Sequence, residues 1–161
     1  MTHRSNIASN HRQRGVGLIE VLIAVLVMSV GLLGIASLQA RTIKNNESSL
    51  QRTQAVMLSY FIIDAMRVNR AEALVGAYNI GKTCITPAAG SSLASRDINA
   101  WFVALKANLG ESGATSSEFK TCGQINCATD GTGRCNITVF WDESRAETGS
   151  TTQSIETRTR L

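Results

Sequence analysis

From Val16 to Leu38 the chain runs for 23 residues with a single charged side chain, Glu20. At about 1.5 Å per helical residue this run covers roughly 34 Å, enough to cross a bilayer core of about 30 Å. Before it, residues 1–15 hold Arg4, Arg12, Arg14, His3 and His11 and no acid. A basic flank followed by an apolar span predicts a membrane segment whose N-terminus stays in the cytoplasm, with the rest of the chain on the other side. Glu20 is out of place in such a run. A carboxylate deep in a bilayer costs about 3 kcal/mol even on a lenient insertion scale, so it is expected to face a partner. The simpler alternative keeps it near the headgroups. A secretory signal peptide cut after Ala36 is disfavoured by the length of the run and by the acid inside it.

The stretch Arg14-Gly15-Val16-Gly17-Leu18-Ile19-Glu20-Val21 resembles the prepilin peptidase signal of type IV pilins and pseudopilins. That pattern is a short basic leader ending in Gly, a hydrophobic first mature residue and a Glu at the fifth mature position. The continuation from Ser29 to Gln39 is similar to PilV-like minor pilins, the type IV pilus modification proteins, with the strong similarity covering residues 12–40. Two departures stand out. Val16 and Gly17 occupy the positions where Phe and Thr are usual, and the apolar segment lacks the proline common in major pilins. The second departure argues against a major subunit.

The resemblance implies that Gly15 ends the leader and that Val16 becomes a methylated, still cationic N-terminus. It also implies that Glu20 pairs with the terminal ammonium of a neighbouring subunit. Such a pair in an apolar bundle sets register more than it adds stability. The implied protein is a minor pilin that helps initiate or prime type IV pilus assembly as a low-abundance subunit at the tip. Its implied partners are other minor pilins, the major pilin, prepilin peptidase and the inner-membrane assembly machinery. It would sit in the inner membrane as a single pass with its head in the periplasm, and then in the pilus. A pseudopilin of a type II secretion system carries the same signal and is the nearest rival.

Past the membrane segment, Gln39 to Val75 contains no Pro and no Gly. Leu50, Met57, Phe61, Ala65 and Val68, with Leu58 and Ile62 alongside, fall at helical spacing, while Arg52, Ser59, Arg67 and Arg70 lie elsewhere on the surface. This predicts one helix from Val16 to Val75, roughly 90 Å long, stopped at Gly76, with Tyr60 and Phe61 in the core. A break near Thr42 to Ser49 is the alternative. A second helix is predicted over Ser95 to Gly110, capped by Ser95 with Asp97 in its first turn. Its apolar face is Ile98, Trp101, Phe102, Leu105 and Leu109. Glu111 to Thr121 reads as a loop. Asn136 to Trp141 and Gln153 to Leu161 alternate as strands around a turn at Asp142 to Ser150, and one more strand is expected between residues 76 and 135. The fold class is therefore α+β: a long N-terminal helix laid on a small antiparallel sheet. The expected parts are a leader over 1–15, a membrane or filament-core helix over 16–38, its amphipathic continuation over 39–75 and a head over 76–161.

The cysteines are Cys84, Cys122, Cys127 and Cys135. Outside the cytoplasm they are expected as disulfides, and the absence of a C-x-x-C pair argues against zinc or a thioredoxin-like motif. Of three possible pairings, Cys127–Cys135 around Asp130-Gly131-Thr132-Gly133 and Cys84–Cys122 are favoured. Removing residues 1–15 removes both histidines, and with them Ser-His, Cys-His and His-metal chemistry. No cofactor, metal site or catalytic group is expected, which argues against an anchored periplasmic enzyme. The formal charge of +4 falls as well, because the leader takes three Arg and leaves 13 basic side chains against 12 acids. The remaining arginines are interspersed with acids. Arg158 and Arg160 are the only tight pair, which argues against a DNA-binding pilin.

Overall fold

The computed structural model describes residues 15, 17–110, 120–144 and 149–161. The chain divides between Ala40 and Arg41 into two units. Helix α1 (Leu18–Val68) starts in the first and ends in the second. It is helical throughout Thr42 to Ser49, so the alternative break there is absent.

In the first unit every large apolar side chain from Leu18 to Leu38 is at least half exposed. The segment buries nothing against the protein, and α1 is long and apolar enough to cross a membrane. A side-chain hydrogen bond inside this segment is local. The Ser29 hydroxyl donates to the Val25 carbonyl at 2.7 Å and so carries no unmet donor into an apolar surrounding.

The second unit adds α2 (Arg70–Leu74), β1 (Ile80–Thr83), α3 (Leu93–Asn108), β2 (Cys122–Cys127), β3 (Arg134–Trp141) and β4 (Gln153–Arg160). The strands form one antiparallel sheet in the order β1-β2-β3-β4. The architecture is α+β, a long apolar N-terminal helix followed by a small four-stranded antiparallel sheet. Alternation along β3 sends Cys135, Ile137, Val139 and Trp141 inward. They meet Ile125 and Cys127 of β2, Ile98, Trp101, Phe102 and Leu105 of α3, and Ala55, Ile62, Ile63 and Met66 of α1 in one core.

The face that α1 turns to this core shares with the expected one only Ile62, with Leu58 and Ala65 at its margin. The buried positions are Ala55, Ser59, Ile62, Ile63 and Met66. At 100° per residue these lie opposite Leu50, Met57, Phe61 and Val68, which are exposed. Tyr60 and Phe61, expected in the core, are 52% and 49% exposed. The helix has two apolar stripes, and the core takes the one that combines the small Ala55 and Ser59 with Ile62, Ile63 and Met66. Ser59, expected on the surface, is fully buried, and its hydroxyl meets that burial by donating to the Ala55 carbonyl at 2.9 Å. The Trp101 indole donates to the Leu58 carbonyl at 2.9 Å.

Helix ends also differ from expectation. The continuous run stops at Val68, and Asn69, at φ −107° and ψ 46°, separates it from α2. The Asn69 amide donates to the Tyr78 hydroxyl, which in turn donates to Asp97 at 2.6 Å. Gly76 follows with a positive φ of 85°, a conformation that favours glycine. Helix α3 begins before Ser95, because Ser92 is the cap and accepts from the Ser95 backbone N–H at 3.2 Å. Asp97 is spent on Tyr78 rather than on the helix end. Strand β3 starts two residues earlier than Asn136, and the region before it holds two strands, β1 and β2, instead of one. Of the expected loop and turn, residues 111–119 and 145–148 lie outside the described residues.

Two contacts set the head's tolerance to change. Gly123 lies under the aromatic pair of α3: a Cβ there would stand 2.7 Å from Trp101 Cζ3 and 2.9 Å from Phe102 Cζ. Gly123→Ala is expected to cost about 1–3 kcal/mol by overpacking, read as a lowered unfolding midpoint of the full chain in detergent. The second contact is Glu143, 3% exposed. It accepts from Arg52 Nε at 3.2 Å and Nη2 at 3.1 Å, and from the Ser48 hydroxyl. The Arg52 hydrogen bonds hold the Glu143 carboxyl below its ordinary value of 4.5, against the opposing effect of burial. A lowered folded-state value means that the stabilisation is complete above about pH 4.5 and fades as pH falls through the folded value. Glu143→Gln should therefore lose stability at pH 7, with the gap to wild type narrowing below about pH 4.5. The loss should be about 1–2 kcal/mol, kept modest because the Arg52 side chain is 54% exposed and regains water. A gap independent of pH would refute the ion pair as its cause.

Candidate assembly site

The chain's unusual chemistry lies where α1 begins. Gly15 is exposed and outside the helix, and Val16 lies outside the described residues. The Gly17 carbonyl accepts the first two helical bonds, from Glu20 N at 2.9 Å and Val21 N at 3.3 Å. Gly17 thus fills the capping position without a side chain, and the helix proper starts at Leu18. Glu20 falls in the first turn, where an anionic group is favoured by the unpaired N–H groups and the positive end of the helix dipole.

Glu20 sits at one end of a shallow concave strip formed with Val21, Ala24, Val25 and Met28. These positions recur at helical spacing on one side of α1, and Ala24 supplies the dip between larger neighbours. Among the described residues no side chain bonds to the Glu20 carboxylate. The arrangement is a single carboxylate acceptor at the end of an apolar strip on one side of α1. It can take a cation and orient an apolar helix, and it holds no nucleophile or acid–base pair.

The cysteines are far from this segment in the sequence and belong to the head. Cys84 is bonded to Cys122 and Cys127 to Cys135, and no cysteine is free. Cys122 and Cys127 are the first and last residues of β2. One staple therefore joins β2 to the end of β1, and the other joins it to the start of β3, where Cys127 and Cys135 are direct register partners. Asn79 repeats the pattern with its amide, accepting from the Cys127 N–H at 2.6 Å and donating to the Cys127 carbonyl at 3.0 Å.

The arginines gain one neighbour that the linear sequence hides. Arg134 is the cross-strand partner of Arg160, next to Arg158 on the same outer face of the sheet. Each is engaged locally: Arg134 with Asp130 at 3.1 Å, Arg158 with Glu156 at 3.0 Å, and Arg160 with the Thr132 carbonyl at 2.8 Å. Sequence reasoning also placed Glu143 in a turn without a role. Its signal, an acid two residues after an alternating strand, says nothing of an Arg that is 91 residues away.

Residues 10–36 match the family model described as a prokaryotic N-terminal methylation motif. No curated protein and no solved structure matches the chain. The match spans the Gly15–Glu20 segment and the apolar helix behind it. It implies processing by prepilin peptidase and assembly with other pilins and pilus machinery. The motif supports a type IV pilin-like or pseudopilin protein, a structural kind rather than an enzyme class.

Proposed function

We propose that the chain is a PilV-like minor pilin, a low-abundance structural subunit at the pilus tip that helps initiate or prime type IV pilus assembly. The observation that carries this reading is the methylation motif leading into an apolar helix with Glu20 in its first turn. In this role the parts are the leader 1–15, the core helix 16–38, its amphipathic continuation 39–75 and the head 76–161. Prepilin peptidase cuts after Gly15 and methylates the new Val16 amine. The head is on the periplasmic side until the subunit leaves the membrane for the filament. Glu20 pairs with the terminal ammonium of a neighbouring pilin, a partner that an isolated chain does not have. The two disulfides suit a head that works outside the reducing cytoplasm.

A minor pseudopilin of a type II secretion system is the second reading, favoured by the same motif. A DNA-binding role is opposed by the local engagement of Arg134, Arg158 and Arg160.

Three measurements test the proposal. N-terminal analysis of the processed protein should find methylated Val16; an intact Met1 or a start near Ser37 would overturn it. Glu20→Ala should be processed normally yet be depleted severalfold from sheared pili, and normal incorporation would remove the role given to Glu20. Deleting the gene should abolish piliation and twitching. Loss of protein secretion with pili intact would select the pseudopilin reading instead.

A further inference from the structure

The sheet has two edges, and they are built differently. Strand β1 is four residues long, and its register with β2 shifts between Ile80 and Thr83. Irregularity and shortness blunt an edge against pairing with another chain. Strand β4 has neither protection. It pairs with β3 over eight consecutive residues without a shift and contains no proline.

The hydrogen-bond phase of β4 fixes which groups are open. Leu161 N donates to the Gly133 carbonyl at 2.9 Å, so Arg134 and Arg160 are a non-hydrogen-bonded pair. The ladder to β3 therefore uses Gln153, Ile155, Thr157 and Thr159. The backbone N–H and C=O groups of Ser154, Glu156, Arg158 and Arg160 point away from β3, and among the described residues no strand lies on that side. The side chains of these four residues are exposed.

We infer that β4 pairs with β4 of a second copy of this chain, antiparallel and in one register. The argument is charge complementarity along the open edge: Glu156 and Arg158 pair with each other at 3.0 Å within one copy, and across a two-fold each exchanges that partner for the equivalent residue of the second copy. With the two-fold axis at Thr157, Glu156 faces Arg158 of the second copy and Arg158 faces its Glu156, so opposite charges stand directly across the new ladder. Both pairs join even-numbered residues, whose backbone groups are the open ones, so the register that matches the charges also matches the hydrogen bonds. Thr157 faces Thr157 of the second copy at a non-hydrogen-bonded position, a favourable like pair. Sliding the pairing by two residues in either direction weakens this match: centred on Glu156 it sets Glu156 against its own copy, and centred on Arg158 it keeps Glu156 against Arg160 but sets Arg158 against Arg158. The interface is isologous and closes as a dimer with a continuous eight-stranded sheet.

The axis runs normal to the sheet and relates the two heads alone, and the contact goes beyond the proposed role.

The test uses the full chain in detergent, with mass measured by light scattering and sedimentation. The expected result is a concentration-dependent dimer. Glu156→Lys should weaken it at least tenfold by setting like charges opposite each other. The swap Glu156→Lys with Arg158→Glu should restore it, because the exchanged charges still match under the two-fold. Arg158→Pro removes an outward N–H and no ladder bond to β3. It should abolish the dimer while the unfolding midpoint stays near that of wild type. Thr157→Cys should form a cross-link between copies under oxidation, since all four native cysteines are already bonded. A monomer at all concentrations overturns the inference. So does a dimer indifferent to Glu156→Lys and Arg158→Pro, and so does one that the charge swap fails to rescue.

Discussion

Helix α1 keeps one ladder of backbone hydrogen bonds while the surroundings of its side chains change along its length, and the head depends on that. From Leu18 to Leu38 the helix is apolar all round and buries nothing in the protein. From Ala55 to Met66 one face is fully buried. A four-stranded sheet needs a layer against its inner face. Helix α3 supplies part of it, but Ile62, Ile63 and Met66 complete the core with Ile125, Ile137 and Val139. The head therefore forms on the very helix that carries the apolar segment, and Glu143 ties the far end of β3 back to α1 through Arg52 and Ser48.

A head this small has little core to rely on, and the covalent links fall where the sheet is most exposed to slippage. Both ends of β2 are fixed, to β1 by Cys84–Cys122 and to β3 by Cys127–Cys135. Gly123, one residue inside the first staple, lets Trp101 and Phe102 come down on the strand. Ordered this way, the middle of the sheet is rigid and its irregularity is left to β1, while β4 remains a regular strand with an open side.

How much of this could be read from the sequence varied with how local the cause was. The apolar run, the basic flank and the acid inside it are local, so the N-terminal segment could be read directly. So could the alternation of β3 and β4, and the pairing of Cys127 with Cys135 across a glycine-rich turn. The burial face of α1 could not. Periodicity finds a stripe, but α1 carries two opposed ones, and the larger residues Leu50, Met57 and Phe61 outweighed Ala55 and Ser59. Size points to the wrong stripe there, because the buried one mixes Ala55 and Ser59 with Ile62, Ile63 and Met66. The same limit hid β2, whose six residues include a glycine, an asparagine and a glutamine and show no clean alternation. Two staples and the Asn79 amide hold it in the sheet in place of strong propensity. The helix break at Asn69 depended on Tyr78 and Asp97, groups that meet only in the fold.

In the proposed filament role, Glu20 has a physical task that the apolar residues around it cannot perform. Sliding one apolar helix along another by a turn, about 5.4 Å, exchanges one set of aliphatic contacts for a similar set. Dispersion and burial then change little. An ion pair is different. Moving two charges from about 4 Å to about 7 Å apart removes about two-fifths of their attraction at any fixed dielectric, because the energy falls as the inverse of distance. In surroundings poor in water the separated charges also lose their only compensation for burial. One carboxylate in the first turn of α1 therefore separates the correct register from its neighbours more sharply than the whole apolar strip of Val21, Ala24, Val25 and Met28. That is a reason to keep a costly charge in a run that otherwise has none.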